Sequence, residues 1–133
     1  MKTRIKNYNA DKEYLTEERC YITELSNSED DPDVSIARAR VEPGITTRWH
    51  RLKGTIERYS IISGKGIMEL DGQQPCEVNT GDTVLIPSMC CQRITNIGSE
   101  DLVFLAICSP RFTETAYQDM EDIKAVTGTI NEY

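Results

Sequence analysis

Turn signals punctuate this chain about every ten residues, and short runs of alternating apolar and polar side chains lie between them. The runs are residues 19–25 (RCYITEL), 34–41 (VSIARARV), 45–51, 56–62 (IERYSII), 67–70, 83–87 (TVLIP), 90–95 (CCQRIT) and 102–108 (LVFLAIC). A period of two puts successive side chains on opposite faces, as a half-buried strand requires. The breaks are SNSEDDPD at 26–33, Pro43-Gly44, Lys53-Gly54, Gly64-Lys65-Gly66, Asp71-Gly72, Asn79-Thr80-Gly81-Asp82 and Pro110. The run at 102–108 is almost wholly apolar and reads as a buried strand. Short strands at this spacing predict an all-β sandwich or barrel. Only residues 113–126 carry a helical pattern, with Tyr117, Met120 and Ile123 at i, i+3 and i+6, so a short C-terminal helix is expected there.

A chain of 133 residues supports one core. The expected division is an N-terminal arm at 1–17, a β-barrel at 18–112 and a C-terminal tail at 113–133. Twenty-two acidic against 15 basic residues give a net charge of −7. Such a chain repels a phosphate backbone, and its basic residues are scattered, so no nucleic-acid partner is expected. No apolar run reaches the roughly 18 residues of a membrane span, and the start MKTRIKNYNADKEY has no apolar stretch of a secretory signal. The five cysteines, Cys20, Cys76, Cys90, Cys91 and Cys108, are odd in number and hold no C-x-x-C pair. Reduced thiols in a cytoplasmic protein are the expectation.

The chemistry concentrates in residues 43–66. On a strand through His50, the side chains of Thr46, Arg48, His50 and Leu52 share a face, and on the returning strand Glu57, Tyr59 and Ile61 do. A hairpin of this kind can bring an imidazole and a carboxylate together, the donors a divalent ion takes. An inward Arg48 must be paired or face an anion. It either clamps a ligand carboxylate or phosphate or forms a salt bridge to Glu57, the second being the expectation. Trp49 has outward parity and suggests a subunit contact; Arg58 and Arg93 also point outward, and Arg111 fits a salt bridge at the rim.

The spacing Gly44-x5-His50-x-Leu52-x4-Glu57-x6-Gly64 resembles the first cupin motif, Gly-x5-His-x-His-x3-4-Glu-x6-Gly. Gly81-x5-Pro87-x-Met89-x2-Gln92-x3-Asn96 resembles the second, Gly-x5-Pro-x-Gly-x2-His-x3-Asn. The resemblance implies a small single-domain cupin: a double-stranded β-helix, or jelly-roll barrel, that pairs as a homodimer. In metal-binding cupins the ligands are two His and a Glu from the first motif and a His from the second. Here those positions hold His50, Leu52, Glu57 and Gln92. Leu52 cannot ligate, and Gln92 offers only a neutral amide oxygen. The metal set implied is therefore His50, Glu57 and Gln92, with Cys90 a further soft donor by parity; without a metal, His50 and Glu57 would bond each other in a polar pocket.

Three functions follow as expectations. One is a metal-dependent enzyme holding Fe, Mn, Ni or Zn and acting on a small anionic metabolite, as an isomerase, dioxygenase or lyase. Its catalytic residues would be His50, Glu57 and Tyr59, and its substrate contacts Arg48, Gln92 and Tyr59. A second is a metal-free module that binds or senses a small molecule. A third is a metal-free enzyme in which His50 is the general acid or base and Glu57 orients it.

Overall fold

The computed structural model describes residues 1–121, and they form two antiparallel sheets facing each other across one interior. Eleven strands alternate between the sheets: β1 (Tyr14–Leu15), β2 (Tyr21–Ser26), β3 (Ser35–Val41), β4 (His50–Leu52), β5 (Ile56–Ser63), β6 (Lys65–Leu70), β7 (Cys76–Asn79), β8 (Thr83–Ile86), β9 (Gln92–Asn96), β10 (Leu102–Ser109) and β11 (Tyr117–Asp119). The first sheet runs β1-β2-β3-β10-β5-β8 and the second β11-β4-β9-β6-β7. This is the all-β jelly-roll barrel that the strand spacing and the two motifs predict. No helix among the described residues is long and apolar enough to cross a membrane.

The alternation decides which face is buried. In β5, Glu57, Tyr59 and Ile61 turn inward while Arg58, Ser60 and Ile62 turn outward. At one end the interior is filled with large apolar side chains, Val41, Ile61, Met68, Ile86, Ile94 and Leu102, all buried. Burying each stabilises the fold by about 1.5–3 kcal/mol before entropy is counted. At the other end the inward positions of β3 and β10 carry Ser35, Ala37, Ala39 and Ala106, too small to meet across the barrel. The barrel is plugged at one end and hollow at the other.

The motif residues have structural reasons. Gly64 sits at φ +88°, and a Cβ there would lie 2.8 Å from the Asp101 carbonyl oxygen, so only glycine fits. Asn96 is buried; its amide donates to the carbonyls of Val41 and Glu100 at 2.8 Å, and its oxygen accepts from the Gly98 N–H. It ties the loop before β10 to the barrel.

Three findings differ from the sequence expectations. First, β4 and β5 are not a paired hairpin: β4 belongs to the second sheet and β5 to the first, so residues 53–55 carry the chain across the barrel. Second, both flanking segments add strands. β1 pairs with β2, and β11 pairs with β4 through Tyr117↔Leu52 and Asp119↔His50. Where a helix is expected from residue 113, the chain makes a 3-10 turn at Glu114–Ala116 and then β11; Ile123 and the rest of that expected helix lie outside the described residues. Third, Trp49 is buried at 7% exposure, with the Arg93 guanidinium 4.6 Å from its ring centroid, so within one chain it already has a cover.

Candidate functional site

The hollow end encloses a cavity of about 710 Å³, a volume in the range of small-molecule sites. His50, Leu52, Glu57, Tyr59 and Arg48 all line it. His50 comes from β4, and Glu57 and Tyr59 from β5 on the facing sheet, so the two sheets present their chemistry to one space.

His50 is 3% exposed. Its Nδ1 lies 2.8 Å from the Arg48 carbonyl oxygen. A carbonyl can only accept, so Nδ1 carries the proton and Nε2 keeps its lone pair. The nearest carboxylate to Nε2 is Glu18, with Oε2 at 3.9 Å, beyond hydrogen-bond reach. The Tyr117 ring stacks on the imidazole at a centroid distance of 5.2 Å and fixes its plane.

Glu57 is not bonded to His50. Its Oε1 accepts from Gln92 Nε2 at 2.8 Å, and Cys108 Sγ stands 3.7 Å from its Oε2. Cys108 is Glu57's cross-strand neighbour on β10. Burial raises the Glu57 pKa above the ordinary carboxylate value; the positive charge available at His50 and the Gln92 hydrogen bond oppose that rise without cancelling it. Burial also pushes the Cys20 thiol on the cavity wall up to about 12 and raises Cys108, so both thiols are inert as nucleophiles at neutral pH. Tyr59, also on the wall, packs its ring against Phe104 at 4.2 Å between centroids, and burial raises its pKa.

Gln92 pairs directly with His50 across β4 and β9, yet it is fully buried behind Glu57 and does not line the cavity. Its Oε1 is buried without a hydrogen-bond partner among the described residues. Cys90 lies in the turn before β9, where its Sγ contacts the Cys91 carbonyl, away from the cavity. Arg48 does reach the cavity wall, but its salt bridge is to Asp119 of β11 at 3.0 Å, not to Glu57 as expected. Arg111 donates to the Asn27 side-chain oxygen at 2.8 Å. Arg58 donates to Ser109, and Arg93 is held by Glu69 at 2.7 Å.

The donors do not fit a resident first-row metal. Leu52, 3% exposed, fills one ligand position with an isobutyl group. Gln92 turns its N–H toward Glu57, while its one ligating atom is sealed from the cavity. Burial raises the Glu57 pKa, which works against the carboxylate form a ligand needs. Among the described residues no three His, Cys, Asp or Glu side chains are grouped to hold an ion.

Sequence reasoning missed Glu18, Tyr117 and Asp119. Tyr117 and Asp119 come from the segment expected to be a tail, and their link to His50 exists only once β11 pairs with β4; Glu18 comes from the first residue of the expected barrel, 32 positions before His50. No local pattern encodes that pairing.

A family model described as a cupin domain matches residues 37–108. An uncharacterised protein of Methanocaldococcus jannaschii is 33% identical over 116 residues, covering 86% of this chain and 92% of that protein. A Thermotoga maritima protein named as oxalate-binding is 32% identical over 71 residues, which span 53% of this chain and 58% of its own length. Among solved structures, a nucleoside dehydratase from Streptomyces superposes with a TM-score of 0.72 at 16% identity, covering 86% of this chain and 90% of that one. The last likeness speaks for the fold only. Motifs, barrel and family match agree, and the chain belongs to the cupin family.

Proposed function

We propose that this cupin binds a small molecule in its hollow end and uses His50 as a metal-independent general base and acid on it. One observation carries the reading: the Arg48 carbonyl holds the Nδ1 proton of His50, so Nε2 is left with a lone pair on a residue that lines the cavity. A base so placed can take a proton from bound substrate, with the Glu18 carboxylate 3.9 Å away. Glu57, whose pKa burial raises, accepts from Gln92 and Cys108 and lines the same cavity. Tyr59 shares the wall as a second polar contact. Proton transfer of this kind serves isomerase or lyase chemistry.

The test begins with untagged protein stripped by chelator and titrated with Mn²⁺, Fe²⁺, Ni²⁺ and Zn²⁺. The reading expects no stoichiometric uptake. One equivalent of metal that disappears in His50→Ala would instead establish the metal-dependent alternative.

The same proposal places the protein in the cytoplasm as a homodimer. All five cysteines are free thiols. The outer face of the first sheet shows Leu85 at 68% and Ile62 at 48% exposure, with Ile56 on the same face. An apolar face of this kind suits a second copy of the chain.

A further inference from the structure

Resting on the reading of the His50 cavity as a ligand site, we infer that its ligand is a small organic cation, an ammonium or guanidinium compound bearing a polar group, and not a carboxylate. The walls carry Glu17, Glu18, Glu24, Glu57, Glu114 and Asp119 against one arginine, Arg48, and one histidine, His50. Arg48 is neutralised by Asp119. Glu17, Glu24 and Glu114 make no ion pair with a basic side chain among the described residues. An entering anion would meet uncompensated like charge on the solvent-exposed part of the wall, where Glu17, Glu24 and Glu114 stand. A cation would be attracted, and the rings of Tyr14, Phe112 and Tyr117 on the same wall offer it π faces.

Two independent features show that the space is built for a ligand. Tyr59 is 5% exposed and lines the cavity, and its hydroxyl has no hydrogen bond among the described residues. His50, buried to 3%, points Nε2 into the same cavity with no hydrogen-bond partner. Both groups line the cavity, where a polar substituent on the ligand would bond them. The acidic walls also leave a mark on their neighbours: Tyr117 and Tyr14 have raised pKa values, chiefly from burial and then from the charges of nearby glutamates.

Calorimetric titration of the full, metal-stripped chain with choline, the neutral carbon isostere of choline, putrescine and oxalate tests the inference. Choline or putrescine should bind about tenfold or more tightly than the neutral isostere, should weaken as salt is raised, and should lose that advantage in the double variant Glu17→Gln, Glu114→Gln. Oxalate should not bind. Equal affinity for choline and its isostere, failure of both cations to bind, or oxalate binding to the metal-free chain would overturn it. Oxalate that binds only after one equivalent of metal is taken up would overturn instead the metal-independent reading on which it rests, so the two failures are separable.

Discussion

At the residue scale, the site turns on what stands where two histidines would complete a metal centre. Leu52 faces the cavity, and Gln92 sits directly across the strand pair from His50. The double variant Leu52→His, Gln92→His should therefore gain one equivalent of Zn²⁺ that the natural chain does not take, measured by elemental analysis after desalting. Glu57 gives a second prediction through pH. Its folded pKa is raised, so the folded state holds the proton more tightly than the unfolded one. That contribution to stability is complete below the ordinary glutamate titration and is lost as pH rises through the folded value. Glu57→Gln keeps the acceptor for Gln92 but cannot ionise. Its melting temperature relative to the natural chain should rise as pH is taken upward from the ordinary glutamate titration; a constant difference would show that Glu57 ionises freely. His50, Glu57 and Tyr59 were legible in the sequence because strand parity alone sends them inward. The partner of Arg48 was not, because Asp119 is 71 residues away and nothing in the local spacing points to it.

At the element scale, the periodic runs show where most strands lie, and turns set their ends. Very short strands escape such a reading: β1 has two residues and β11 three, too few for a period to register. β7, residues CEVN, hides because only Val78 of its four is buried. The turn between β8 and β9 shows what a motif departure costs. Met89 occupies the glycine position of the second cupin motif and keeps a left-handed backbone, φ +68°, while its N–H bonds the Leu52 carbonyl at 2.8 Å. That conformation costs a side-chain-bearing residue about 1–2 kcal/mol, partly offset by the greater entropy a glycine loses on folding. Met89→Gly should raise stability by about 0.5–1 kcal/mol in urea unfolding; a loss would mean that the half-exposed Met89 side chain contributes packing that outweighs the strain.

At the scale of the whole molecule, the barrel divides its labour along its length. The plugged end supplies the stability, and Ile94→Ala there should lower it by about 2–5 kcal/mol. The hollow end carries the proposed site, and its small wall residues can be enlarged with less effect on folding. Leu85→Lys places a charge on the outer face of the first sheet, where sedimentation equilibrium should show a homodimer turned monomer; a natural chain already monomeric would remove that surface from the account. The whole account depends on which nitrogen of the single imidazole carries the proton. A long-range ¹H–¹⁵N spectrum of the ¹⁵N-labelled, metal-stripped chain reads this directly, since His50 is the only histidine. The neutral ring should show a protonated Nδ1 and a bare Nε2, unchanged on adding stoichiometric Zn²⁺. A proton on Nε2, or an Nε2 resonance that moves when the metal is added, would contradict it.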